Sequence, residues 1–345
     1  MAETKKRIYV YDNAKALLIL LVVLGHAADY YTATYDSLKV FFIFAYLFHM
    51  PLFIFIAGLF SKSSLDSKYF RREKFANFIV LYLLLEVLFY LLRYYILGYK
   101  GATFNPFIED GVPWFMFAMA MWLVLGRLFR NISKFIVLPL TILWALAIGF
   151  IPVGDYLVAA RIIVFFPYFL VGYYINQHSL EEALKSRVLK IIGGVFLLLV
   201  FTTLCFNIDT LYGIRNVLSG RNSYFLIRYT SGIPTSGLIL KIIVTLLTIC
   251  ISISILALMP QKRTWFTVVG ERSLAIYFFH RFILSLYHRY EVNDYLKAAF
   301  PNGWLWIYMT IFVGVTLLLA LKPFDFILTL IQRIVSAIFK RKQIK

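Results

Sequence analysis

Cysteine is nearly missing from the chain: only Cys205 and Cys250 occur in 345 residues, and both sit inside apolar runs. That excludes a disulfide framework and leaves no thiolate zinc site. Charge is scarce too, at 15% of residues, against about a quarter in an average soluble domain. Acidic charge is scarcest, with 17 Asp and Glu against 35 Lys and Arg, a net charge of +18. The chain has no long polar block, low-complexity tract or clear internal repeat, so a soluble domain beside the rest is not expected. The first apolar run is not followed by an A-x-A-like cleavage site and reads as a retained span, not a signal peptide.

Apolar length is what the chain has. Hydrophobic residues make up 61% of it, well above the soluble average of about half. The expected fold is therefore all-α, a polytopic integral membrane bundle. At ~20 residues per span, the chain accommodates about ten transmembrane helices in a single domain. The apolar stretches fall at 11–31, 39–60, 75–97, 113–129, 135–151, 157–176, 190–206, 237–259, 272–288 and 303–321. The tail from 322 to 345 alternates polar and apolar residues at helical spacing, as expected of a basic amphipathic helix on the cytoplasmic membrane surface.

The basic residues orient this bundle. With the N-terminus inside, Lys5, Lys6 and Arg7, then Lys62, Lys68, Arg71, Arg72 and Lys74, then Arg130, Lys134, Lys185, Arg187, Lys190, Lys262 and Arg263 all face the cytoplasm. The positive-inside rule then gives an N-in, C-in topology with an even number of spans. The net charge reads as loops against anionic lipid head groups, with no nucleic-acid partner expected. One exception is the polar loop 207–235, which places Arg215, Arg221 and Arg228 outside. Those arginines either meet an anionic glycan, or make local ion pairs, or one span is misplaced.

The first span carries the chemistry. RIYVYDNAKALLILLVVLGHAADYY, residues 7–31, holds Asp12, Lys15, His26 and Asp29 within an apolar helix. Ionisable groups are costly at membrane depth and mark function there. Lys15 and His26 are eleven residues apart, hence on one helical face and ~16 Å apart along the axis. His26 has Asp29 one turn later, and a carboxylate that near can orient an imidazole and raise its basicity. Such a histidine can take a proton from a sugar hydroxyl in acyl transfer, or carry the acyl group briefly. Lys15 with Arg71-Arg72-Glu73-Lys74 reads either as ordinary interfacial anchoring or as an anion seat for a nucleotide-phosphate donor such as acyl-CoA.

These motifs resemble the membrane acyltransferase family 3, whose members O-acylate carbohydrates and other acceptors. Lys15-x10-His26, inside YDNAKALLILLVVLGH, is similar to that family's opening signature. Arg71-x-x-Lys74 resembles its R-x-x-R motif, but loses one guanidinium fork. FHMPLFIFIAGLF (48–60), PWFMFAMAMW (113–122), FFPYFLVGYYI (165–175) and GERSLAIYFFH (270–280) resemble further blocks in the family's order. The opening DN-x-K…GH and the HMP triplet are closest to the fucose 4-O-acetylase-like branch, in the stand-alone form without an SGNH hydrolase-like domain.

The resemblance implies His26 as the catalytic group, Lys15 as its basic partner, Arg71 and Lys74 as acyl-donor contacts and Trp114 as a pocket residue. To these the residues themselves add Asp29 and Asp12 as catalytic candidates, Arg72 beside the donor, and His49 and His280 as additional site candidates. The expected activity is O-acetyl transfer from cytoplasmic acetyl-CoA, used as a substrate with no bound cofactor or metal. The acceptor would be a hydroxyl of a cell-surface carbohydrate or its lipid-linked precursor. The expected location is the bacterial cytoplasmic membrane, with membrane lipids as partners. A multi-span transporter or flippase, or an accessory subunit of polysaccharide export, are the rival classes.

Overall fold

The computed structural model describes residues 7–108, 111–227 and 233–340; Arg228, Lys5 and Lys6 lie outside them. Helix accounts for 78% of the structure, with no strands among the described residues. In chain order the helices are α1 (Tyr9–Asp29), α2 (Asp36–Tyr46), α3 (His49–Leu65), α4 (Arg72–Leu91), α5 (Trp114–Phe129), α6 (Lys134–Ala147), α7 (Ala159–Tyr174) and α8 (Gln177–Leu184). They continue as α9 (Arg187–Leu211), α10 (Arg215–Leu218), α11 (Pro234–Leu258), α12 (Thr267–Glu271), α13 (Ser273–Arg289), α14 (Val292–Ala299), α15 (Trp304–Leu319) and α16 (Lys322–Phe339).

Each expected apolar stretch falls on helix, but fewer helices than ten have the length and composition of a full crossing. Five qualify among the described residues, or up to seven if each of two bent pairs is one span. Several of the others are short: α5 and α7 have 16 residues each, below the ~20 that cross a hydrocarbon core upright.

Local sequence explains the breaks. The second stretch is two helices, α2 and α3, that meet at Leu47 and Phe48. Pro51 sits in the first turn of α3. It cannot donate to Leu47, and its ring would crowd that carbonyl in a continuous helix. The Leu47 carbonyl accepts instead from Thr248 Oγ1 on α11, at 2.7 Å. The stretch at 207–218, expected as polar loop, is mostly helical: α9 continues through a kink at Asn207 to Leu211, and a 3-10 turn leads into α10.

α1 lies at the centre, packed on α2, α3, α12, α13 and α15, and most of its residues are buried. One end is latched by buried Asn13, whose amide donates to the Pro260 and Lys262 carbonyls at 2.8 and 2.9 Å and whose oxygen accepts from Thr267 Oγ1 at 2.6 Å. Where α3 crosses α7, a Cβ on Gly58 would lie 2.0 Å from the Phe169 carbonyl oxygen, so only glycine lets the backbones approach this closely. The tail helix α16 packs against α4 and α13 as part of the bundle.

Candidate active site

The polar stripe of α1 divides into two separated centres. At the N-terminal end, Asp12 accepts from Arg7 at 2.7 Å and pairs with Lys15 at 2.8 Å, while Arg7 also reaches Glu271 at 3.3 Å. Burial against α12 and these two cations fix the Asp12 carboxylate fourteen residues from His26, ~21 Å along the helix. The structure does not bring Asp12 to the histidine. The Lys15 ammonium lies 5.8 Å from the ring centre of Phe60, and Phe60 lines a cleft of about 810 Å³.

That cleft gathers the basic residues of this end. Arg71 and Lys74 line it, joined by Arg333 from α16, by Lys340 just past its end, and by Ser61, Ser64 and Asn77. Lys74 donates to Ser64 Oγ, Arg71 pairs with Glu73, and Asn77 donates to Ser336 Oγ at 2.9 Å, tying α16 to α4. Arg72 is exposed and does not line the cleft. The Arg127 and Arg130 guanidiniums hold the neighbouring loop by donating to its carbonyls, among them Leu65 at 2.7 Å from Arg127 and Ser67 at 2.9 Å from Arg130.

The other centre is built from histidines. α13 packs along α1 and lays the His280 ring on His26, with centroids 5.4 Å apart and planes 27° apart. His280 is fully buried. Its Nδ1 lies 2.8 Å from the Tyr277 carbonyl and 3.1 Å from that of Ile276. A carbonyl only accepts, so Nδ1 carries the hydrogen and Nε2 is left with a lone pair. That Nε2 is buried without a hydrogen-bond partner among the described residues. His49 repeats the device: its Nδ1 donates to the Ala45 carbonyl at 2.8 Å, and its ring meets Tyr46 edge-on at 4.5 Å. His26 itself is half-buried and makes no hydrogen bond among the described residues. No cluster of His, Cys, Asp or Glu side chains there has the geometry to hold a metal ion.

Asp29 does not serve as the partner of His26 in this arrangement. Its carboxylate takes Arg215 at 3.0 Å, which folds α10 back over the end of α1. Arg221 likewise pairs with Asp155 at 3.2 Å. Arg215 and Arg221 are thus paired by carboxylates of distant segments, not by residues of the loop itself; Arg228 lies outside the described residues. Trp114 sits at this end, opposite Arg71 and Lys74. It stacks on Phe165, with the Arg161 guanidinium 4.7 Å from its ring centre.

Two cations at the histidine centre were not anticipated as site residues. Arg281 and Arg161 both lie near enough to act on His26 electrostatically. Arg161 donates to the Ser219 carbonyl at 3.0 Å. Arg281 lies 5.8 Å from the Tyr30 ring centre and has no ion pair or hydrogen bond among the described residues. A signal for it exists in the sequence: an arginine directly after His280 inside an apolar helix is costly without a purpose. Imidazoles with free Nε2 atoms beside guanidiniums can accept a proton and stabilise a developing oxyanion.

A small apolar void of about 70 Å³ lies between the two centres, lined by Val22, Phe53, Phe115, Met116 and Tyr277. Val22 is one turn from His26, while Met119, one turn from Phe115, lines the basic cleft. The void and the cleft therefore mark a line along α1, α3 and α5 from the cations to the histidines.

Comparison with known proteins identifies the family. Residues 8–321 match the profile of a family described as an acyltransferase domain. The chain belongs to this acyltransferase family. With its long apolar helices it is a membrane member of it. It is similar to the nodulation protein NolL of Mesorhizobium japonicum, 30% identical over 168 residues, which are 44% of this chain and 43% of NolL. The aligned part thus spans less than half of that relative's length. No solved structure matches the chain.

Proposed function

We propose that the chain is a membrane O-acyltransferase that moves an acetyl group from cytoplasmic acetyl-CoA to a hydroxyl of a cell-surface carbohydrate or its lipid-linked precursor. In this reading it is one domain of about ten spans, N-in and C-in, in the bacterial cytoplasmic membrane. The observation that carries it is the His26–His280 stack, with the His280 Nε2 lone pair unpartnered among the described residues and the Arg281 and Arg161 charges acting on His26, in a chain of an acyltransferase family.

The donor phosphates bind Arg71, Lys74, Arg333 and Lys340 in the basic cleft, where guanidinium and ammonium groups suit phosphate oxygens. The pantetheine arm follows the line past Met116, and the thioester reaches His26. His26 removes the proton of the acceptor hydroxyl as its oxygen attacks the thioester carbon. The O–C bond forms, the C–S bond breaks, and the proton passes from the imidazolium to the CoA thiolate. Arg281 and Arg161 stabilise the oxyanion between these steps. His280 is a positioning residue: with Nδ1–H committed to the Tyr277 carbonyl, its ring is held stacked on His26 and keeps that imidazole in place.

The test is acceptor-dependent release of CoA thiol in proteoliposomes. His26→Ala should abolish release while insertion and melting temperature stay near wild type. Full activity of that variant would remove His26 from the chemistry.

A further inference from the structure

A long apolar groove of about 550 Å³ runs along α11 between α3, α6, α7 and α8. It extends from Lys241 to Leu256, ~22 Å along the helix, most of the ~30 Å hydrocarbon thickness of a bilayer. Its lining is almost wholly apolar, and Lys241 is its only charged residue among the described residues. An ammonium facing hydrocarbon is costly unless it meets an anion or reaches water. Within the described residues its one hydrogen-bond contact is long, 3.5 Å to the Val217 carbonyl.

Lys241 also lines a second, small cavity at the same end, shared with Arg221, Asn222 and Ser223. Ser223 is 4% exposed, and its hydroxyl is buried there without a partner among the described residues. Arg221 is engaged by Asp155 and Asn222 by the Asn216 carbonyl at 3.1 Å. The groove therefore ends in an uncommitted ammonium and an uncommitted hydroxyl, both suited to phosphate oxygens. This end is also the histidine end: Val217 neighbours Ser219, whose carbonyl holds Arg161. Pro51, two residues from His49, forms part of the groove wall.

We infer that this groove and Lys241 form a binding site for a lipid phosphate, a single long hydrocarbon chain in the groove with its phosphate on Lys241 and Ser223, and that the lipid is the anchor of the acceptor. This rests on the acyltransferase reading above for the word acceptor, while the site itself does not depend on it. The side pocket, at about 20 Å³, has room for phosphate oxygens but not for a sugar. A glycan attached to that phosphate would therefore extend outward, past Arg161 toward His26.

The experiment is native mass spectrometry of the full chain released from detergent, with a polyisoprenyl monophosphate as probe and phosphatidylglycerol as competitor. Wild type should retain the probe against excess phosphatidylglycerol. Lys241→Met, which keeps the packing, should lower retention at least tenfold, and Lys241→Arg should restore it. Ala183→Trp, which fills the groove but keeps the cation, should also lose the probe. His26→Ala should bind as wild type does. Equal retention by Lys241→Met, or displacement of the probe by equimolar phosphatidylglycerol, would overturn the site. Absence of acyl transfer by wild type would defeat the acyltransferase reading while leaving the lipid retention readable.

Discussion

Replacing His280 separates a working partner of His26 from a packing residue. The ring is fully buried, is tied through Nδ1 at 2.8 Å to Tyr277, and stacks 5.4 Å from His26. His280→Ala would remove the ring that stacks on His26, and also leave a cavity of the kind that costs ~2–5 kcal/mol in a packed core. His280→Gln is therefore the sharper variant, since it keeps volume and polarity but supplies no aromatic ring to stack on His26. Loss of an orienting group for a general base lowers turnover by ~10²–10⁴, or ~3–5 kcal/mol in the barrier. Donor affinity should hardly move, because the basic cleft lies about three helical turns away. The assay is CoA thiol release in proteoliposomes over a range of acetyl-CoA concentrations, with melting temperature measured in parallel. The expected result is a low kcat, an unchanged KM for acetyl-CoA and a melting temperature near wild type for His280→Gln. A kcat above about a third of wild type, a change of only ~0.6 kcal/mol, would refute the role given to this ring.

Three further outcomes follow from the geometry. Arg71→Ala, Lys74→Ala and Arg333→Ala should each raise the KM for acetyl-CoA by about tenfold or more, as loss of a charged hydrogen bond costs ~1.5–3 kcal/mol. Arg72→Ala, outside the cleft, should not, and equal effects of all four in donor titrations would dissolve the cleft as a donor seat. Asp29→Asn removes a half-exposed ion pair with Arg215 of a kind worth ~0–1 kcal/mol, so thiol release should stay within about threefold of wild type. A loss as large as that of His26→Ala would return Asp29 to the reaction centre. A Cβ on Gly270 would lie 1.8 Å from the Asp12 carbonyl oxygen, so Gly270→Ala should destabilise by ~1–3 kcal/mol or more through overpacking. Gly314→Ala, where a Cβ meets open space, is the control, and equal melting temperatures for the two would contradict the α1–α12 contact.

Much of this was legible in the sequence because it is local. The apolar stretches appear as helices, since hydrophobic length and periodicity are properties of neighbouring residues. Lys15 and His26 do share α1, and Arg71 with Lys74 does line one basic cleft. The tail from 322 does form a helix, but its apolar face packs on α4 and its cations complete the cleft. What could not be read depends on contacts between distant segments. His280 meets His26 across 254 residues, and no spacing rule reports that. Asp29 looked like the natural partner because it is one turn away; the geometry instead gives it to Arg215, 186 residues on. Trp114 falls with the histidines, and Arg72 points away from the cleft, because helix direction and face are settled by packing. The break at Phe48 was legible in principle from Pro51.

In the proposed reaction one chain joins a basic cleft that takes the donor to a histidine centre about three helical turns away. The direct measurement is mass spectrometry of surface glycans from cells fed labelled acetate, with the wild-type chain, with His26→Ala and without the chain. The expected result is a labelled O-acetyl group on a defined hydroxyl that is present only with wild type. The same labelled glycan in all three samples, or in the His26→Ala cells, would contradict it.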